Sequence, residues 1–261
     1  MLSLLTGEDD YDPVTSKAQG RENDYSSCFD ENSLKGARIG VIRDFMGFHS
    51  EVDNVMEQAF TAMKKMGAEL IDVQCAKDRD TWGKAEWQVL LYELKADMQK
   101  YLSERPSAPV QSLKDIIEFD KAHHESEMPW FGQEIFLEAE KKGDLNEPEY
   151  LKALKTSKSL TQRTIDKTID ENKLNALITP TNSPAWTIDL INGDHYIGGT
   201  SDLAAISGYP SITVPAGNVH GLPIGLSFIG KAWAEAGLIA LAYAFEQGTK
   251  MRFKPGFGKV T

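Results

Sequence analysis

Four stretches of the sequence hold residues whose types and spacing could do chemistry. The first, Gly225-Leu226-Ser227-Phe228-Ile229-Gly230, nearly matches the G-x-S-x-G pattern that sets a nucleophilic serine on a sharp strand-to-helix turn. That turn needs its second glycine. Ile229 stands in its place and Ser227 sits in an apolar run, so Ser227 reads as a strand residue. The second, His123-His124-Glu125 with Glu127, collects metal-ligand types. Adjacent side chains on a helix diverge by about 100°, so the two histidines cannot share an ion as in H-E-x-x-H, and a solvated polar stretch is the better reading. The third, Asn192-Gly193-Asp194-His195, pairs a carboxylate with an imidazole and could orient a base. No nucleophile adjoins it, and a turn whose Asn and Asp bond local backbone accounts for the same residues. The fourth, Gly198-Gly199-Thr200-Ser201, precedes a short helix. Glycines there let backbone approach a ligand, and free amides favour anions or a developing oxyanion. A tight, capped helix entry is the competing reading, and no lysine follows to make a phosphate loop. None of the four amounts to an assembled catalytic set.

The elements that must position these residues are legible from periodicity. Arg38–Ile42 is a short buried strand by its β-branched apolar run. Ser50 then opens a helix, with Asp53 three residues on as in a capping box, and Val52, Met56, Phe60 and Met63 hold one face. Gly67 stops it, and Glu69–Val73 is a second strand. This β-α-β order predicts a crossover onto a mostly parallel sheet. Residues 81–174 change character. Leu91, Leu94, Met98 and Leu102 mark a long helix, and Leu113, Ile116 and Ile117 a shorter one. Another helix begins near Pro148 and runs through Leu151, Leu154, Ile165 and Ile169. No flexible linker bounds this stretch, so the chain reads as one domain, 1–261, with 81–174 as a helical insertion or lid. Strand character returns at Ala176–Thr179. A loop rich in Pro, Asn and Gly follows to Tyr196, then a small-residue helix from Asp202 to Ser207. Ser211–Pro215 and Pro223–Ile229 are strands around a turn at Gly217–Gly221, forming either a hairpin or pairs with separate neighbours. Leu238, Leu241, Ala242 and Phe245 mark a last helix. At the other end, Met1–Leu5 reads as the last turns of a helix that starts outside the sequence, with Gly7 as its stop and residues 8–36 as a polar connecting loop.

Composition narrows the class. The 261 residues are 41% hydrophobic and 26% charged, those of a globular domain with a sizeable core. A net charge of -11 repels phosphate backbones, which speaks against a nucleic-acid partner. The apolar runs reach about ten residues, short of the ~20 of a membrane span. Met1–Leu5 lacks the basic region and length of a signal peptide. Cys28 and Cys75, far apart, are two free thiols and not a disulfide framework or zinc pattern.

The run from Asn175 to Phe245 resembles a known family. Ala176-Leu177-Ile178-Thr179-Pro180-Thr181 is similar to the strand and T-P-T turn of amidase-signature hydrolases. Ile206-Ser207-Gly208-Tyr209-Pro210-Ser211-Ile212-Thr213-Val214-Pro215-Ala216-Gly217 and Gly221-Leu222-Pro223-Ile224-Gly225-Leu226-Ser227-Phe228-Ile229-Gly230 resemble its next two strands, in the same order and spacing. Pro184-Ala185-Trp186, Asn192-Gly193-Asp194-His195, Ala242–Gln247, Gly40–Phe45, Leu91–Ala96 and Met128-Pro129-Trp130-Phe131-Gly132 resemble its peptide-amidase-like branch. Thr6-Gly7 and Tyr11-Asp12-Pro13 are similar to the loop after the family's signature region, so the likeness covers nearly the whole chain.

The resemblance implies the C-terminal part of an α/β/α sandwich with a mixed sheet and a helical layer. It implies hydrolysis of a carboxamide, C-terminal peptide amides among them, to carboxylate and ammonia, with no metal and no cofactor. The family's nucleophilic serine, cis-peptide serine and lysine belong to a segment before the equivalent of Met1, so no catalytic residue carries over and the chain is expected to be inactive alone. Trp186, Asp194, His195, Tyr196, Gly198, Gly199, Thr200 and Ser201 would lie at the substrate side. The expected partners are a small amide or short peptide amide, and either the missing N-terminal half or a second copy covering an exposed core face. The chain as found is expected in the cytoplasm, while its parent enzyme could be exported. Two other readings are a non-catalytic binding module of the same fold and a subunit related to an amidotransferase.

Overall fold

The computed structural model describes residues 1–21 and 23–255. Nine α-helices and five strands are assigned among them. The helices are α1 Leu2–Leu5, α2 Ser50–Lys65, α3 Arg79–Ser103, α4 Leu113–Ala122, α5 His124–Glu127, α6 Glu134–Glu140, α7 Pro148–Asn172, α8 Asp202–Ser207 and α9 Glu235–Thr249. The strands are β1 Arg38–Ile42, β2 Glu69–Val73, β3 Ala176–Pro180, β4 Ser211–Val219 and β5 Leu222–Ile229. The described residues of 1–77, 162–186 and 196–255 form one compact unit, built on the sheet; residues 78–161 and 187–195 form another, built of helices. Helix α7 contributes its first part to the helical unit and the rest to the sheet unit.

In the sheet unit the strand order is β2-β1-β3-β5-β4. Strand β1 runs parallel to both β2 and β3, whereas β5 runs antiparallel to β3 and β4. The sheet is therefore mixed. One face carries Ile39, Val41, Ala176, Ile178, Leu226 and Phe228 into a core shared with α2 and α9. Their stripes are Val52, Met56, Phe60 and Met63 from α2, and Leu238, Leu241, Ala242 and Phe245 from α9, the 3.6-residue spacing that one-sided burial requires. Phe228 meets Phe245 edge-on at 6.3 Å between ring centroids. Gly40 alternates onto the opposite face, where an added Cβ would lie 2.6 Å from Leu174 and 2.7 Å from Leu177.

The two open alternatives for the last strands resolve as a hairpin, with Val219 opposite Leu222. The turn is shorter than the Gly217–Gly221 span expected from sequence. Its two residues, His220 and Gly221, have φ of 50° and 82°, the sign that a type I′ turn demands at both central positions. Asn218 closes it by accepting the Gly221 N–H at 3.1 Å. Gly217 lies inside β4, next to a register shift after Pro215. Pro215 is tolerated mid-strand because β4 is the last strand of the sheet and one of its edges needs no ladder.

The start of α2 differs from the capping box expected at Ser50 and Asp53. His49 is the cap: its Nδ1 accepts from the N–H groups of Glu51 and Val52 at 3.2 and 3.4 Å. Asp53 turns outward from the helix and accepts the Gly47 N–H at 3.1 Å.

In the helical unit α3 is apolar on two sides because helices pack on both. Val89 and Tyr92 pack on Tyr150 and Ala153 of α7. Leu91, Leu94 and Met98 pack with Leu113 and Ile117 of α4 and Phe136 and Ala139 of α6. Buried phenols are given acceptors: Tyr92 donates to Glu147 at 2.7 Å and Tyr150 to Glu93 at 2.8 Å. Lys95 closes the C-terminal end of α6 by donating to the carbonyls of Glu140 and Lys142. Among the described residues no helix is long and apolar enough to cross a membrane.

Two measurements check this account. Replacing His49 with Ala, which removes the cap acceptor, is expected to cost about 1 kcal/mol in urea unfolding, and His49→Asn should retain most of it. Cys75 is buried, and that burial pushes its thiol up to about 12; the nearby Asp44 carboxylate adds to the rise, and a contact with the Thr168 hydroxyl opposes it. The thiolate is therefore scarce at neutral pH. A thiol titration at neutral pH should find the half-buried Cys28 alone in the native protein and both cysteines after denaturation.

Candidate functional site

The site grows from the end of β3, the edge at which parallel α/β sheets bind ligands. Beyond Pro180 the chain continues as Thr181-Asn182-Ser183 and lies antiparallel to Gly198-Gly199-Thr200. Asn182 bridges Gly199, and Ser183 donates its N–H to the Gly198 carbonyl at 3.0 Å. Buried Thr200 turns its hydroxyl onto the Pro180 carbonyl. Two loops remote in sequence are thus tied at the sheet's edge.

Aromatic rings enclose the diglycine. A Cβ on Gly198 would lie 2.6 Å from the Phe48 ring, and one on Gly199 would lie 2.4 Å from the Tyr196 hydroxyl oxygen. A side chain at either position would have to displace one of these rings. Tyr196 meets Trp186 at 5.8 Å and 70°, an edge-to-face pair. Trp186, Tyr196, Gly198, Gly199 and Thr200 are accordingly gathered in one place. Ser201 is exposed at the start of α8 and its side chain makes no cap bond. Asp194 and His195 belong to the helical unit and are exposed. The segment before them is a turn in which Asp189 accepts from the N–H groups of Ile191 and Asn192, both at 2.9 Å. Those backbone and side-chain donors hold the Asp189 carboxyl below its usual range.

Next to the tied loops lies a cavity of about 330 Å³ lined by Thr181, Asn182, Ser183, Thr213, Pro215 and Ile224, among others. Its floor is a cluster of hydroxyls. Thr181 Oγ1 is 2.7 Å from Thr213 Oγ1 and 2.8 Å from Ser227 Oγ. Gly225 lies beneath, where a Cβ would come within 2.6 Å of both threonine hydroxyls. The sequence did not place Thr181, Asn182, Thr213 or Gly225 among the candidate site residues. The available signal was the repeated hydroxyl residue at the sheet's edge, which becomes a site only once the strands are paired.

The chemistry open to these residues is binding. Ser227 lies inside β5 with the Thr181 hydroxyl as its side-chain hydrogen-bond partner, so no base is positioned to activate it. His123 stacks on Phe119 at 4.1 Å and points Nδ1 at the Phe119 carbonyl. Among the described residues no group of three or more His, Cys, Asp or Glu could hold a metal ion.

Comparison with known proteins decides the family. The family model described as Amidase matches residues 1–239. The chain belongs to the amidase family. The native peptide amidase of Stenotrophomonas maltophilia has 37% identity to it and a TM-score of 0.86, over 98% of this chain and 52% of that one. A probable amidase of Arabidopsis thaliana is 32% identical over 265 residues, covering 98% of this chain and 47% of its own length. A glutamyl-tRNA(Gln) amidotransferase subunit from Caldanaerobacter subterraneus is 27% identical over 98% of this chain and 53% of its own length. This amidase-family chain spans about half the length of the curated relatives it matches.

Two substitutions test the tied loops. Thr200→Val removes the hydroxyl that holds Pro180 and is expected to cost about 1–3 kcal/mol. Gly198→Ala forces its methyl against Phe48 and should cost a similar ~1–3 kcal/mol. Chemical denaturation of each variant reads both.

Proposed function

We propose that this chain supplies the substrate-side part of an enzyme that hydrolyses carboxamides, C-terminal peptide amides among them, to carboxylate and ammonia. The observation that carries the reading is the 37% identity to a peptide amidase along 98% of the chain. The substrate-facing stretch is Trp186 to Ser201. Its aromatic pair offers apolar contact, and the diglycine brings backbone close enough to hydrogen-bond an amide or peptide group. Asp194 and His195 are the polar members of the same stretch.

Amide hydrolysis needs a nucleophile, a base and donors aimed at the developing oxyanion. The Gly/Ser-rich loop, cis-peptide serine and lysine of the resemblance have no counterpart in these 261 residues. In this reading, therefore, the chain binds and positions, and another segment supplies the reacting groups. That segment, or a second copy, also covers apolar surface such as Leu4 and Leu5, which are 88% and 74% exposed.

The amidotransferase relatives support a second reading, in which the chain is part of an ammonia-releasing component of a larger assembly. Its 27% identity is below the 37% of the peptide amidase, and Pro184-Ala185-Trp186 and Asn192-Gly193-Asp194-His195 favour the first reading.

Ammonia release from a C-terminally amidated dipeptide tests the proposal. The chain alone should give none, and the chain joined to the upstream half of a peptide-amidase-like protein should turn over. Turnover by the chain alone overturns the division of labour. Preference of the joined protein for free glutamine favours the second reading.

A further inference from the structure

The helical unit carries a cleft that the amidase reading does not use. It has a volume of about 340 Å³ and lies between the end of α4 and the start of α6. Met128, Phe131, Ile135 and Phe136 form its apolar wall. The polar lining consists of Asp120, Glu127, Gln133 and Glu134. Gln133 donates its amide N–H to the Ile117 carbonyl at 3.1 Å, which leaves its Oε1 buried and without a partner in the protein.

The charge of the cleft is uncompensated. Among the described residues no lysine or arginine pairs with Asp120, Glu127 or Glu134; nearby Lys121 is paired with Glu118 at 2.8 Å. Beside the carboxylates, Trp130 and Phe131 are each 55% exposed and Ile135 50%. Large apolar side chains next to an unpaired acidic rim mark a binding surface more than a solvated one. A second copy of this chain is a poor occupant, because each copy carries -11 and would bring the same acidic rim.

We propose that this cleft docks a basic amphipathic segment of another protein. A Lys or Arg side chain enters with its aliphatic stem on the apolar wall and its donors on the carboxylates of Asp120, Glu127 and Glu134. The segment's apolar face covers Trp130 and Phe131. This goes beyond the amide chemistry and does not depend on it.

The test uses a fluorescent helical peptide of leucine and lysine, with a leucine and glutamate peptide of equal length as comparison, and anisotropy as the readout. The lysine peptide should bind the full chain and the glutamate peptide should not. Phe131→Ser and the double variant Glu127→Gln/Glu134→Gln should each weaken binding about tenfold or more. The double variant Glu8→Gln/Asp10→Asn makes the same charge change on the exposed N-terminal segment and should stay within about twofold. Circular dichroism confirms that each variant is folded. Equal losses in the two charge variants would mean diffuse attraction to an acidic protein and overturn the proposal. So would an unaffected Phe131→Ser, or sedimentation that shows a dimer abolished by Phe131→Ser, which would make the occupant a second copy.

Discussion

The position of β3 is the constraint on which the remainder of the sheet unit depends. All five of its residues are buried. It is held from one side by parallel β1 and from the other by antiparallel β5, so it is where the sheet changes sense. A strand buried on both faces and paired on both edges has no freedom of register, because a one-residue slip would exchange its core and opposite faces. Whatever follows Pro180 is therefore launched from a fixed point. The tied loops, the hydroxyl cluster and the aromatic enclosure all take their positions from it.

That fixed point explains the small residues nearby. Gly225 has no side chain because Thr181 and Thr213 bring their hydroxyls over it, and Gly198 has none because the Phe48 ring lies against it. These glycines answer to close approach by neighbours, not to a turn. A rigid scaffold with permissive loops on its edge is the usual division between parts that hold and parts that bind. Here the holding is done by hydrocarbon and the edge is lined with hydroxyls and amides.

Much of the fold was legible because burial has a period. The apolar stripes of α2, α3 and α9 and the β-branched runs of β1, β3 and β5 mark elements at the places where they occur. The mixed sheet followed from the family likeness. Pairing was harder to read, since a hairpin and two separate pairings share one pattern, and the β4–β5 ladder and the positive φ at His220 and Gly221 distinguish them. The cap of α2 was missed because Ser50 and Asp53 are the usual capping types, yet the imidazole one residue earlier reaches the free amides. Of the candidate site residues, Gly198 and Gly199 stand out in the sequence by type. Thr181 and Thr213 did not, because a threonine near a strand end is ordinary until another strand brings a second hydroxyl to it.

The long separation between β1 and β3 bears on the order in which the chain acquires its structure. Arg38 donates its N–H to the Asn175 side chain across 137 residues, whereas the β4–β5 hairpin closes through two. Loop-closure entropy must be met before distant contacts return anything, and proteins rich in such contacts fold slowly. The hairpin can form early, as a local event. The junction of β1 with β3 has to wait until the intervening helices have shortened the path between them. Until then β3 would present an unpaired apolar edge. In this chain the step that completes the sheet is thus also the step most exposed to misassembly.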